Sequence, residues 1–259
     1  MKLKVLTLNL HGWQETEQME KFATIAEFIA EYQIDIVAFQ EVCQHRDAAL
    51  LAGDLRVDNA GHLIMQLLNQ LSDRPYTMHW DWSHYGWDVY EEGVAVSSVH
   101  QAVDVSSKYV SQSSSKEYWK SRKIIRVGVD LKDEIVDVFS CHTGWYHDKD
   151  EPFARQCESL GAFVQERPNR SLIMGDFNNA AGTPGYDLLV DRFIDLFPLG
   201  SNQAGNTFRG GIAGWEGNDA GKRIDYVLTD RGVSSVKAGV VFESEPVSDH
   251  FGVMMELEW

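Results

Sequence analysis

Apolar residues recur along this chain in two periods, and the alternation between those periods lays out the elements. Residues 3–8 (LKVLTL) open with a β-rich run, and residues 34–39 form a second run suited to a buried strand. Between them Phe22, Ile25, Ile29 and Tyr32 repeat at helical spacing, which predicts a helix over 17–32. Leu63, Ile64, Leu67, Leu68 and Leu71 mark a second amphipathic helix. The middle of the chain changes character. Residues 77–82, 93–98, 123–130 and 135–141 read as strands, the last two joined by a tight turn at 132–134. A third helix is expected over 151–166, with Pro152 in its first turn, where a missing N–H costs nothing. Strands at 171–175, 223–229, 235–242 and 251–258 complete the pattern. Many strands, hairpins in the middle and few helices predict an α+β sandwich, two packed sheets with helices outside.

The serine-rich stretch 111–115 is short enough to be a loop, and no repeat or low-complexity linker divides the chain. One domain over residues 1–259 is the simplest organisation. The first ten residues are too short for a membrane span and lack a cleavage-site pattern, and no other apolar run reaches spanning length. A cytoplasmic location follows as the default expectation. Cys43, Cys141 and Cys157 form no C-x-x-C pair and no zinc spacing, so they read as reduced thiols in or near the core.

Composition is ordinary for a globular chain, 44% hydrophobic and 24% charged, but the balance is acidic: 39 Asp+Glu against 23 Lys+Arg give a net charge of −16. Such a field repels a polyanion, which counts against nucleic acid as the partner. It leaves room for a small phosphorylated ligand held by a local cation, since a bound metal reverses the field where it matters.

Candidate chemistry enters at the strand ends. Apolar runs repeatedly stop at a polar residue: Asn9 after VLTL, Glu41 after IVAFQ, His142 after VFSC, Asp176 and Asn178 in LIMGDFN. Asp225 stands near the start of RIDYVL, and Asp249 and His250 just before a strand in SDHFGV. In a sandwich, strand ends gather at one edge, so residues remote in sequence can meet. The residue types suit a hard divalent cation such as Mg²⁺ or Mn²⁺, which takes oxygen ligands. Glu41 is the first choice of ligand, with Asn9 and Asp249 beside it. Asp176 can orient or deprotonate an attacking water positioned by Asn178. His250 beside Asp225 would hold its proton more readily and contact a phosphate as a cation, with His142 doing the same from the other side.

These segments, TLNLHG, FQEV, the SCH ending at His142, GDFN, RIDYVL and SDHFGV, resemble the endonuclease/exonuclease/phosphatase superfamily in identity and order, across almost the whole chain. The resemblance implies a four-layered α/β/β/α sandwich of two mostly antiparallel sheets flanked by helices. It also implies a Mg²⁺ or Mn²⁺ site and in-line attack of water on phosphorus. On the family's pattern Asn9, Glu41 and Asp249 lie by the metal, Asp176 and Asn178 handle the water, Asp225 pairs with His250, and His142 touches the phosphate. The sequence departs from the commoner pattern at Asn-Leu-His-Gly-Trp and at the Thr-Gly-Trp after His142. With Gly214-Trp215, those variants resemble a Gram-positive bacterial subgroup that includes RgfB-like proteins and maltose 6'-phosphate phosphatases.

Glycine precedes Trp13, Trp87, Trp145 and Trp215. Trp13 and Trp145 follow site residues and are candidate platforms for a sugar or base; Trp215 is a further candidate, although packing is the simpler reading for it and for Trp87. Arg126, within KIIRVG, is placed as a substrate contact reaching in from its strand, with pairing to a carboxylate as the alternative. Glu92 is expected near His142. His11, His79 and His84 read as ordinary histidines, and Asp187, Asp191 and Asp195 as a solvated face.

Three functions fit these residues. A phosphatase acting on a small phosphorylated sugar is favoured by the charge and the tryptophans. A Mg²⁺-dependent nuclease or DNA-repair phosphodiesterase would want a basic groove, and SSKEYWKSRK (114–123) is the nearest basic segment. A binding module with a decayed site is opposed by the intact Glu41, Asp176, Asn178, Asp249 and His250.

Overall fold

The computed structural model describes residues 2–201, 205–212, 214–215, 220–233 and 235–258. In chain order the first half contains β1 (Lys2–Asn9), α1 (Gln18–Tyr32), β2 (Ile36–His45), the short β3 (Leu50–Ala52) and β4 (Leu55–Arg56), then α2 (Ala60–Leu71), β5 (Thr77–Gly86), β6 (Tyr90–Ser98) and β7 (Ala102–Tyr109). The second half contains β8 (Lys123–Asp130), β9 (Ile135–His142), α3 (Phe153–Val164), β10 (Arg170–Asp176), α4 (Pro184–Val190), β11 (Ile194–Asp195), α5 (Phe197–Gly200), β12 (Asp225–Thr229), β13 (Ser235–Val241) and β14 (Gly252–Glu258).

Two six-stranded sheets carry the fold, ordered β13-β14-β1-β2-β6-β5 and β11-β12-β10-β9-β8-β7. Each has one parallel pair, β1 with β2 and β9 with β10, and is otherwise antiparallel. Each parallel step is crossed by a helix segment: α1 returns the chain from β1 to β2, and α3 returns it from β9 to β10.

Side-chain alternation sorts the strands into layers. Leu3, Val5, Ile36, Ala38, Val94 and Val96 of the first sheet meet Val127, Val136, Val138, Leu172, Met174 and Val227 of the second in a buried central core. The opposite faces pack outward. Leu6, Leu8, Val37 and Phe39 lie under Phe22, Ile25 and Ile29 of α1 and Ile64 and Leu68 of α2. Phe139, Ile173, Tyr226 and Leu228 lie under Phe153, Leu160 and Phe163 of α3 and Leu189 of α4. The result is a four-layered α/β/β/α sandwich.

The predicted strands and long helices are present with shifted ends. Pro152 caps α3 from outside rather than sitting in its first turn. Several elements have no counterpart in the sequence reading: β7, the β3–β4 ribbon, α4, β11 and α5. The edge strand β7 leaves Val103 and Val105 exposed, so its pattern lacks a buried face. The β3–β4 ribbon is too short to carry a period. Asp187 and Asp191 are exposed as expected, whereas Asp195 is buried and bonded by Arg223 Nη2 at 2.7 Å and by the Tyr186 hydroxyl at 2.8 Å. All three cysteines are buried and free.

Candidate active site

The parity that fills the central core also builds the site. On β1 the face carrying Leu3 and Val5 continues as Thr7 and Asn9; on β9 the face of Val136 and Val138 continues as Ser140 and His142. Asp176 extends the Leu172–Met174 face of β10, Asp225 the Val227 face of β12, and Glu92 the Val94–Val96 face of β6. At one end of the sandwich the inter-sheet layer therefore turns from aliphatic to ionisable. A tie of buried polar groups marks the change. Thr7 Oγ1 bonds Gln40 Oε1 at 3.2 Å, Gln40 Nε2 donates to Ser140 Oγ at 3.0 Å, and Ser140 Oγ donates to the Phe39 carbonyl at 2.8 Å.

Glu41 reaches this layer through a β-bulge. The β2–β6 register shifts between Phe39 and Val42, and Glu41 takes a left-handed φ of 48°. The extra residue breaks the alternation and turns the carboxylate toward Asn9, whose Nδ2 donates to Glu41 Oε1 at 2.8 Å. The same amide lies 3.2 Å from Asp176 Oδ2 and so ties the two sheets' carboxylates together. Asp176 Oδ1 accepts from the Asn178 backbone N–H at 2.8 Å, and Asn178 Nδ2 donates to the Thr143 carbonyl at 3.0 Å. Asn178 sits at φ 51°, a conformation that asparagine tolerates better than most residues.

The histidines occupy two distinct settings. His250 Nδ1 is 3.0 Å from Asp225 Oδ2, and its Nε2 is 3.7 Å from Asp176 Oδ2. Burial alone would lower its pKa, but the Asp225 and Asp176 carboxylates outweigh that and hold it well above the ordinary range, so His250 is a cation. His142 faces Glu41 and Asp176 through Nε2 and Glu92 through Nδ1, each at 3.8 Å. Burial first, then the positive field of Arg122, hold His142 well below the ordinary value. That direction disfavours the second cation expected from the sequence.

Burial and like charge push Glu41 up to about 7, with Glu92 and Asp249 as the neighbouring charges. Asp176 is likewise pushed up to about 7 by burial and by Asp225. Glu92 is raised by burial as well. Ligand atoms of Glu41, His142 and Asp176 lie within 4.8 Å of one another, as do those of Asp176, Asp225 and His250. Asp225 Oδ1 is buried with no hydrogen-bond partner. A set of crowded, hard oxygen donors that repel one another suits a divalent cation, which would let them ionise together.

Glu41, Glu92, His142, Asp176, Asn178 and His250 line a cleft of about 560 Å³ with Asp249, His11, His84 and Arg122. Trp87, Trp119 and Trp145 wall it, Trp119 meeting Trp145 edge-on at 6.2 Å. Trp87 is 69% exposed, so it is not the packing residue the sequence suggested. His11 faces the cleft, its Nδ1 2.7 Å from Glu15 and 3.7 Å from Asp249. His84 bonds the Ser121 carbonyl at 3.0 Å.

A second hollow of about 380 Å³ adjoins the first, shares Trp145 and Asn178 with it, and is lined further by Tyr146, Pro184 and Trp215. Gly214 makes this wall possible: at φ 80°, a Cβ there would stand 2.4 Å from Trp145 Nε1.

Two expected substrate contacts are corrected. Arg126 lies on the outer face of β8, because Ile125 and Val127 take the inter-sheet face; its guanidinium stacks 4.9 Å over Phe163 and bonds Asp104 at 3.2 Å. Trp13 packs edge-on against Phe22 at 5.6 Å, and its Nε1 donates to the Asp58 carbonyl at 3.0 Å, away from the cleft. Arg122 and Trp119, which do line the cleft, were not singled out, because they precede β8 on a loop that carries no period. The one signal for them was the local run of basic and aromatic residues at 114–123.

Fold and site together define a phosphoesterase-class hydrolase. The profile of the Endonuclease/Exonuclease/phosphatase family matches residues 9–250, and the chain belongs to that family. An endonuclease/exonuclease/phosphatase family protein from Leptotrichia buccalis C-1013-b is 30% identical, with a TM-score of 0.92 over 99% of this chain and 100% of that one. A mannosyl-6-phosphatase from Bacteroides thetaiotaomicron VPI-5482 shares the fold at 17% identity and TM-score 0.72, over 99% of this chain and 100% of that one. Truncated TDP2 from Caenorhabditis elegans does so at 16% identity and TM-score 0.66, over 100% and 98%. Comparison with curated proteins gave no match in sequence. Among the described residues no helix is long and apolar enough to cross a membrane.

Proposed function

We propose that this protein is a Mg²⁺- or Mn²⁺-dependent phosphomonoesterase acting on a small phosphorylated sugar. The observation that carries the substrate class is the pair of joined hollows at Trp145. One contains the carboxylate–histidine cluster, and the other is walled by aromatic and proline side chains. Together they offer the size and mixed polarity of a small-molecule site, with flat rings for a sugar and polar groups to orient it. A net charge of −16 is unsuited to binding a run of phosphates. The fold shared with a mannosyl-6-phosphatase is consistent with this choice, as is the resemblance to maltose 6'-phosphate phosphatases.

In this reading Glu41, Asn9 and Asp249 hold the metal, which when bound polarises a phosphoryl oxygen and offsets charge in the transition state. Asp176, fixed by Asn9 and by the Asn178 N–H, takes the proton of the attacking water; a carboxylate pushed up to about 7 is matched to that task at neutral pH. Asn178 positions the water. His250, kept charged by Asp225, steadies a non-bridging phosphoryl oxygen, and neutral His142 offers an N–H to another. Trp145 and Trp215 flank the leaving sugar.

The test is a comparison of specificity constants for a panel of monosaccharide and disaccharide phosphates against nicked and abasic oligonucleotides, at matched Mg²⁺ and ionic strength. The reading expects a phosphosugar to lead. Oligonucleotide cleavage above every phosphosugar would replace it with a nuclease.

A further inference from the structure

Arg122 is buried, 4% exposed, on the wall of the cleft. Its Nη1 donates to the Trp119 carbonyl at 3.1 Å, and its Nε has no hydrogen-bond partner. Among the described residues no carboxylate forms an ion pair with it, although other buried arginines here do: Arg126 has Asp104 and Arg223 has Asp195. Glu92 feels its charge from beyond ion-pair distance, and a guanidinium taken out of water with no carboxylate in contact is costly unless a ligand supplies the contact.

The surrounding structure holds Arg122 in that position. The Arg122 N–H donates to Ser111 Oγ at 2.8 Å, and its carbonyl accepts from the Val110 N–H at 2.9 Å. Ser121, next in the chain, bonds Ser113 Oγ and the Ser115 carbonyl, and Glu151 accepts from the Gln112 and Ser113 N–H groups. The serine-rich stretch is thus a bracket that fixes one cation at the cleft.

We propose that Arg122 binds the phosphoryl group of the substrate and selects phosphomonoesters over diesters. It supplies fixed positive charge beside Glu92 and His142. A monoester presents three non-bridging oxygens and close to two negative charges near neutral pH, whereas a diester presents two oxygens and one charge. Three positive partners (His250, Arg122 and a metal ion that Glu41 would hold) match the former. The planar fork of arginine suits two of those oxygens at once, which a lysine cannot reproduce.

The inference rests on the site being a phosphoryl-transfer centre, but not on the identity of the sugar. Inorganic phosphate is therefore the probe. In Mg²⁺-loaded protein labelled with ¹⁵N-arginine, the Arg122 Nε–H resonance, assigned by its loss in Arg122→Lys, should shift on titration with phosphate. The phosphate Kd should rise about tenfold or more in Arg122→Met, with Arg122→Lys between it and the wild type. The ratio of kcat/KM for p-nitrophenyl phosphate to that for bis-p-nitrophenyl phosphate should fall in Arg122→Met. An unmoved Nε–H resonance at saturating phosphate overturns the proposal even if Arg122→Met fails to fold. So does a folded Arg122→Met with wild-type phosphate affinity and an unchanged ratio. Failure of every phosphosugar would count against the proposed substrate and leave these measurements intact.

Discussion

His250 Nδ1 and Asp225 Oδ2 lie 3.0 Å apart with both side chains almost sealed from solvent, and the second oxygen of Asp225 has no other partner. The carboxylate is thus committed to one imidazolium. His250→Ala would strand it, which costs about 3–5 kcal/mol for a broken buried pair, in addition to the lost phosphate contact. We expect a lowered Tm together with a fall in kcat, and Asp225→Asn to be the milder lesion. Wild-type Tm and turnover in His250→Ala would show that the pair neither stabilises nor acts.

Asp176→Asn keeps the shape of the side chain and removes the base. The expected loss in kcat is about 10²–10⁴, the usual size of a general-base contribution. Stability should change little or rise, since a carboxylate pushed up to about 7 by burial is itself a burden on the fold above neutral pH. A variant with unimpaired turnover would move the base elsewhere.

Metal dependence can be read without any substrate. Glu41 and Asp176 titrate near 4.5 and 3.8 when unperturbed and at about 7 in the fold. The folded protein therefore holds extra protons between those values, and its metal-free stability falls as pH rises through 7. His250, also raised, acts in the same direction at higher pH, while the lowered His142 opposes it below 6.5. The useful quantity is thus the increment in Tm on adding Mg²⁺ or Mn²⁺. It should be larger at pH 8 than at pH 5.5, and a pH-independent increment would contradict the carboxylate site. EDTA should abolish activity. Glu41→Gln should raise the metal concentration required at least as much as losing an outer-shell partner does, about 10–100-fold.

Trp145 and Trp13 should separate cleanly. Trp145→Ala is expected to raise KM for the substrate about 5–30-fold, the equivalent of one or two kcal/mol, with a smaller effect on kcat. Trp13→Ala should lower Tm and leave KM alone, because its ring packs on Phe22 and its N–H is bonded to the Asp58 carbonyl. The reverse outcome would exchange their roles.

The layers of this fold were legible because alternation is a local property. The run of Leu3 and Val5 into Asn9, or of Leu172 and Met174 into Asp176, already says which polar residue ends which face. What alternation could not supply was the facing of a lone charge within an apolar strand. The sequence lets Arg126 reach inward to the substrate or pair with a carboxylate, yet Ile125 and Val127 take the inner side, and the arginine is left to Phe163 and Asp104. Nor could it supply residues held by loops. Arg122 and Trp119 reach the cleft through the serine bracket, whose hydrogen bonds join segments far apart in sequence. The lowered pKa of His142 escapes the sequence for a related reason, since it depends on burial and on Arg122.

The Thr7–Gln40–Ser140 tie has a mechanical meaning. Glu41 and Asn9 belong to one sheet, and His142, Asp176 and Asp225 to the other, so any sliding between sheets would change the gap across which the reaction occurs. Aliphatic packing resists separation but permits slip, because it has no directional preference. The Gln40–Ser140 hydrogen bond and the return bond from Ser140 to Phe39 are directional, and they cross the seam directly beneath the cluster. They act as a dowel between two plates: the reactive groups stand on separate bodies, yet their spacing is set by a pin that does not line the cleft.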